Sequence, residues 1–218
     1  GKLWRVNAES GTPEQIPFSA RVRQRLTEVV RYTQEVAPES FDVKMLRWVS
    51  VSPDETKVVY SALGKLWIRD LPDGTPRRLT GDAERWELFP SWAPDGRSIV
   101  YTSWSDSEQG AVRVVAPDGT NPRILTPIPG HYVEPAFSRD GSRVVYSKIG
   151  GDGLRGELYT HERGVYVVPA EGGEPSRVTA SGSRPRFAAS GERIYLIGQD
   201  DGRTTLESVD LSGGDRRV

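Results

Sequence analysis

Trp92-Ala93-Pro94-Asp95-Gly96-Arg97-Ser98-Ile99-Val100-Tyr101 decides the fold, because the stretch is not unique in the chain. Upstream stands Val51-Ser52-Pro53-Asp54-Glu55-Thr56-Lys57-Val58-Val59-Tyr60. Downstream stands Phe137-Ser138-Arg139-Asp140-Gly141-Ser142-Arg143-Val144-Val145-Tyr146. A more divergent fourth copy is Phe187-Ala188-Ala189-Ser190-Gly191-Glu192-Arg193-Ile194-Tyr195-Leu196. From Asp54 to Asp95, Asp140 and Ser190 the steps are 41, 45 and 50 residues. A second motif alternates with the first. It reads Asp73-Gly74-Thr75 leading to Arg78-Leu79-Thr80, Pro117-Asp118-Gly119-Thr120 leading to Ile124-Leu125-Thr126, and Ala170-Glu171-Gly172-Gly173 leading to Arg177-Val178-Thr179. Partial copies lie at Glu9-Ser10-Gly11-Thr12 and Ser212-Gly213-Gly214-Asp215.

Pro-Asp-Gly supplies a fixed negative φ, a side chain that bonds its own backbone and a residue free to take positive φ, so each copy encodes a tight turn. The intervening runs, Ser98 to Thr102 and Ala111 to Val115 among them, have the β-branched and aromatic content of short strands. Two alternating turns per unit give four strands per unit, the period of a propeller blade. Helical solenoids do not fit, and a two-layer sandwich gives no reason for two turn sequences to alternate. The expected fold class is all-β, a propeller of four-stranded blades. Residues 1–44 are expected to be the outer part of one blade plus a connecting segment, and residues 45–218 about four further blades. The start at Gly1-Lys2-Leu3-Trp4, inside a strand pattern, and the incomplete set of repeats point to a partial propeller from a longer chain.

The 218 residues carry 29 Lys and Arg against 30 Asp and Glu, a balance that recruits neither nucleic acid nor an acidic membrane surface. With no cysteine, disulfide scaffolds, zinc ribbons and thiol chemistry are excluded. No apolar run approaches the roughly 20 residues needed for a membrane span, and the first residues lack a signal-peptide pattern. From Ala20 to Val36, arginines at 21, 23 and 25 alternate with apolar residues as in a strand, although Leu26, Val29, Val30 and Thr33 also suit a helix. Strand is the preferred reading, ended by Pro38.

Three residues before each turn Asp or Ser stand Val51, Trp92, Phe137 and Phe187, expected to be core between blades. Six residues before it stand Trp48, Phe89, Glu134 and Arg184, where the chemistry changes from repeat to repeat at one structural position. Such variation is where a binding surface is encoded. The candidate binding residues are Glu87, His131, Glu134 and Arg184, converging on the mouth of a central channel to take a peptide or small polar ligand, with Trp86 and Trp104 flanking it. Catalytic sets are missing. No Gly-x-Ser-x-Gly elbow exists, and neither His131 nor His161 has a triad spacing. Gly151-Asp152-Gly153-Leu154-Arg155-Gly156 spells a phosphate-loop pattern, but strand-like sequence follows it instead of a helix, so it reads as a loop insertion. The pairs Asp82/Glu84, Asp106/Glu108 and Asp200/Asp201 read as solvated loop charge.

Ser52-Pro53-Asp54 with Val58-Val59-Tyr60, Pro117-Asp118-Gly119-Thr120 and Arg78-Leu79-Thr80 resemble TolB-type propeller repeats, which also build the propellers of prolyl-oligopeptidase-like and tricorn-like proteases. Ser61 to Trp67, Asp70 to Thr80 and Phe89 to Arg97 are similar to the propeller preceding the catalytic domain of bacterial amidohydrolase-family proteins. The similarity runs from Lys44 to Val218 plus residues 2 to 17, departing from the pattern at Glu55, where Gly is usual, and at Ala189-Ser190. The resemblance implies a noncatalytic binding or scaffold module whose partner is a protein or an attached catalytic domain. Its alternative is the accessory propeller of a metal-dependent amidohydrolase or a prolyl-oligopeptidase-like peptidase, controlling substrate access. No cofactor is expected in this chain. A metal ion would belong to such a catalytic domain, since two histidines cannot supply its ligand set. A periplasmic or secreted location is likewise implied by the resemblance alone.

Overall fold

The computed structural model describes residues 1–27, 36–150 and 162–218, and the chain divides into two compact units, Gly1–Phe41 and Asp42–Val218. In the first unit β1 (Leu3–Val6) and β2 (Pro13–Ile16) form an antiparallel hairpin. Asn7 organises its turn, its side-chain oxygen accepting the backbone N–H groups of Glu9 and Ser10 at 2.9 and 3.0 Å. Residues 17–27 join no sheet, which corrects the strand expected to begin at Ala20. An alternating pattern without a neighbouring strand leaves its N–H and C=O groups to water, and here Val22 and Leu26 are exposed.

The second unit is a series of antiparallel meanders. The first sheet orders β3 (Arg47–Val51), β4 (Lys57–Ala62), β5 (Lys65–Asp70) and β6 (Arg77–Arg78) side by side. The second contains β7 (Trp86–Trp92), β8 (Ile99–Ser105), β9 (Gln109–Val115) and β10 (Arg123–Ile124). In the third are β11 (His131–Phe137), β12 (Arg143–Ile149), β13 (Gly164–Pro169) and β14 (Ser176–Thr179). The fourth has β15 (Ser183–Phe187), β16 (Arg193–Asp200) and β17 (Arg203–Asp210), and an antiparallel bridge from Ser208 to Arg217 marks its outer-strand position. These are four-stranded blades of the propeller type. The phosphate-loop pattern at residues 151–156 and His161 lie outside the described residues.

One turn geometry recurs in all four blades. Ser52, Ala93, Ser138 and Ala188 donate their N–H to the carbonyls of Lys57, Ser98, Arg143 and Arg193, each at 2.8 Å. Blade-to-blade packing follows the same repetition. Val59, Leu66 and Ile68 of the first blade bury against Trp92, Ile99 and Tyr101 of the second. Val100, Val112 and Val114 then meet Tyr132, Val144 and Tyr146, and Val145, Val165 and Val167 meet Ile194 and Leu196. Each such side chain, fully buried, contributes roughly 1.5–3 kcal/mol. Arginines cross the same boundaries: Arg77, Arg123 and Arg143 donate to the carbonyls of Pro117, Ala170 and Gly191 at 2.7, 2.8 and 3.0 Å.

Of the four side chains expected between blades, Trp92 is buried, and Phe137 and Phe187 are half-buried against the interblade clusters. Val51 corrects the expectation, being 49% exposed. Its counterparts pack on the preceding blade, and within this unit no blade precedes β3.

Candidate functional site

Each innermost strand breaks its ladder once. Pairing shifts between Arg47 and Ser50 in β3, Leu88 and Ser91 in β7, Val133 and Ala136 in β11, and Ser183 and Arg186 in β15. At each irregularity one residue sits in the left-handed region: Trp48 at φ 50°, Phe89 at 55°, Glu134 at 58° and Arg184 at 52°. None is glycine, so each carries a conformational penalty of about 1–2 kcal/mol. A bulge re-aims a side chain, and here it does so at the same structural position in all four inner strands. Because β3, β7, β11 and β15 neighbour one another in order, the four side chains line a single cavity of about 330 Å³ with Ser50 and Arg186.

The cavity has two chemically distinct halves. The first two blades supply an aromatic shelf, the rings of Trp48 and Phe89 lying 4.2 Å apart at a 40° tilt. A guanidinium from Arg47 stands 5.8 Å from the Trp48 ring. The third and fourth blades supply charge. Arg184 donates its backbone N–H to Glu134 Oε2 at 2.6 Å, and its Nε lies 3.8 Å from Glu134 Oε1. Arg186 is anchored through Nη1, which donates to the Pro185 carbonyl at 2.7 Å and to that of Glu134 at 3.5 Å. Trp92 of the second blade fixes the β3 bulge by donating its indole N–H to the Ser50 carbonyl at 3.0 Å.

Glu134 and Arg184, both singled out in the sequence, therefore share the cavity. Trp48, Phe89 and Arg186 complete it. The signal for the first two was their register with Glu134 and Arg184, and Arg186 carries no such signal. Glu87 is elsewhere. It is 1% exposed, and its carboxylate accepts the Leu66 N–H at 3.0 Å and the Thr80 hydroxyl, closing the contact between the first two blades. Burial first, and the Glu87 carboxylate second, push the neighbouring Tyr101 phenol up to about 12. His131 and Trp104 meet ring to ring at 5.4 Å, across the second and third blades. Trp86 is paired across the ladder with Trp104 and stays exposed, resting on Gly64 where any Cβ would meet its ring at 2.4 Å. It lines a separate cavity of about 580 Å³ that touches the first only through Trp48.

In two of the acidic loop pairs one member is engaged with arginine, Asp82 with Arg85 and Glu108 with both Arg85 and Arg113, while Glu84, Asp106, Asp200 and Asp201 are exposed. Among the described residues, no group of three or more His, Asp or Glu side chains is placed to hold a metal ion.

No family model matches the chain. Dipeptidyl-peptidase 5 of Porphyromonas endodontalis is 33% identical over 108 residues, covering 45% of this chain and 15% of that protein. The Tol-Pal system protein TolB of Francisella tularensis is 26% identical over 137 residues, covering 63% of this chain and 29% of that one. Among solved structures, TolB from Acinetobacter baumannii superposes with a TM-score of 0.61 at 16% identity, over 99% of this chain and 47% of its own. The matched stretches thus span less than a third of these two curated relatives. The blades are TolB-like, as expected. These relatives are peptidases and TolB proteins rather than the amidohydrolases to which the sequence was compared.

Proposed function

We propose that this chain is the noncatalytic propeller of a peptidase-type hydrolase, and that its cavity screens peptides on their way to a catalytic domain elsewhere in the protein. The reading is carried by the convergence of four strained, non-glycine residues, Trp48, Phe89, Glu134 and Arg184, on one cavity. A peptide combines apolar side chains with charged ends, and the cavity offers an aromatic shelf facing the same space as two guanidiniums and a carboxylate. Similarity to a dipeptidyl-peptidase supports the peptidase part of the reading.

The test uses the full-length protein that contains this chain. Glu134→Ala with Arg184→Ala is expected to change KM for peptide hydrolysis several-fold while kcat stays within twofold, and Arg184→Ala alone, at a side chain 77% exposed, should leave the melting transition little changed. A full-length protein without peptidase activity, or one whose KM ignores both substitutions, overturns the proposal. The likeness to TolB favours one second reading, a docking module for a protein partner without hydrolysis. Stable capture of that partner by a full-length protein lacking a catalytic set would select it.

A further inference from the structure

We infer that the cavity reads the free C-terminal carboxylate of a peptide whose last side chain is aromatic or bulky and apolar, an inference that rests on the peptide-screening reading. The charged half is not neutral. Glu134 is its one carboxylate, already occupied by the Arg184 backbone N–H at 2.6 Å and faced by the Arg184 side chain at 3.8 Å. Against it stand two guanidiniums. Arg186 spends Nη1 on backbone carbonyls, and among the described residues no hydrogen bond engages its Nε or Nη2 or any side-chain nitrogen of Arg184. A guanidinium presents five donors in a planar fork that matches a carboxylate with two parallel hydrogen bonds. The half-site therefore carries excess positive charge and unspent donors.

A peptide amine arriving here faces two guanidiniums against a single carboxylate, and Glu134 already holds the Arg184 backbone N–H through Oε2. An amidated end gains nothing from the excess charge. A C-terminal residue differs from both, because its carboxylate and side chain leave the same Cα and can address the two halves of one cavity together. The Trp48–Phe89 pair supplies the apolar counterpart, and a volume of about 330 Å³ holds one or two residues rather than a long segment.

Tryptophan fluorescence and calorimetry on the 218-residue chain would test this with three probes: N-acetyl-Ala-Ala-Phe as the free acid, the same peptide as its C-terminal amide, and Ala-Ala-Phe amide with a free amine. The acid is expected to bind at least tenfold tighter than either amide. That preference should collapse in Arg184→Gln with folding unchanged, and N-acetyl-Ala-Ala-Gly as the acid should bind several-fold more weakly than the Phe peptide. Equal binding of acid and amide, tightest binding of the amine-bearing probe, or no binding of any probe each overturns the inference. The kinetic test on the full-length protein is independent of these titrations, so selectivity for another part of the peptide would leave substrate screening standing while removing the carboxylate assignment.

Discussion

Glu55 occupies the turn position that Gly96, Gly141 and Gly191 occupy in the other blades, at φ 59° against 69°, 74° and 76°. The hydrogen bonds around it are the same as theirs, so the turn forms despite the side chain. The left-handed region costs an ordinary residue about 1–2 kcal/mol, while glycine loses about 0.5–1 kcal/mol more chain freedom on folding. Glu55→Gly is accordingly expected to raise stability by about 0.5–1 kcal/mol in urea denaturation. Gly141→Ala should do the reverse by a similar amount. Its new methyl would find its nearest neighbour 4.0 Å away, so backbone strain alone is measured. The same turns also titrate. Asp140 accepts the Ser138 hydroxyl at 2.6 Å and the hydroxyl and N–H of Ser142 at 2.7 and 3.1 Å, and these bonds hold its carboxyl at about 2. Asp54 is lowered in the same way, first by Ser52. A folded value below the unfolded one means that the unfolded chain takes up protons first. The stabilisation is therefore complete above about pH 4 and disappears as pH falls toward 2. Urea midpoints should drop across that window, and Asp140→Asn should show a shallower drop than the parent chain.

Between blades, the second turn explains its own glycine. A Cβ on Gly119 would lie 2.5 Å from the Leu79 carbonyl of the preceding blade, and one on Gly213 would lie 1.9 Å from that of Val178. At the corresponding Gly172, with φ 98° against 89° for Gly119, nothing lies within 4 Å. Gly119→Ala and Gly172→Ala thus share the backbone penalty, and Gly119→Ala is expected to cost about 1–3 kcal/mol more by overpacking a fixed carbonyl. Equal chemical-denaturation costs would show that the two blades do not approach so closely. Such turns were legible because Pro, Asp and Gly each encode a backbone state that needs no distant partner. The bulges were not, because a Trp, a Phe, a Glu and an Arg share no local preference for positive φ. Their conformation comes from the packing of neighbouring inner strands. That gap also explains Glu87. Unbroken alternation puts Glu87 on the same side as Phe89, but the shift between Leu88 and Ser91 resets the alternation, and Glu87, Pro90 and Trp92 become the buried positions. Period-two reasoning holds along a strand only as far as its first irregularity.

Across the second unit, equivalent residues meet different fates at its two ends. Leu66 on β5 is fully buried by the blade that follows, whereas Leu206, in the same register on β17, is 63% exposed. Val59 is fully buried, and its counterpart Tyr195 is 45% exposed. Three interblade clusters therefore join four blades, with an apolar face uncovered at the far end and the exposed Val49 and Val51 on β3 at the near end. Propellers gain stability from contacts between neighbouring repeats, so the same substitution should register differently along the series. In the 218-residue chain, Leu66→Ala is expected to cost about 2–5 kcal/mol, and Leu206→Ala no more than about 0.5 kcal/mol. Within the longer hydrolase proposed above, a further blade seated on β17 would raise the cost of Leu206→Ala toward that of Leu66→Ala. Denaturant unfolding of both variants in both contexts measures this directly. A Leu206→Ala cost that stays small in the longer protein would mean that nothing packs on this face, and the series of blades would then end at the fourth.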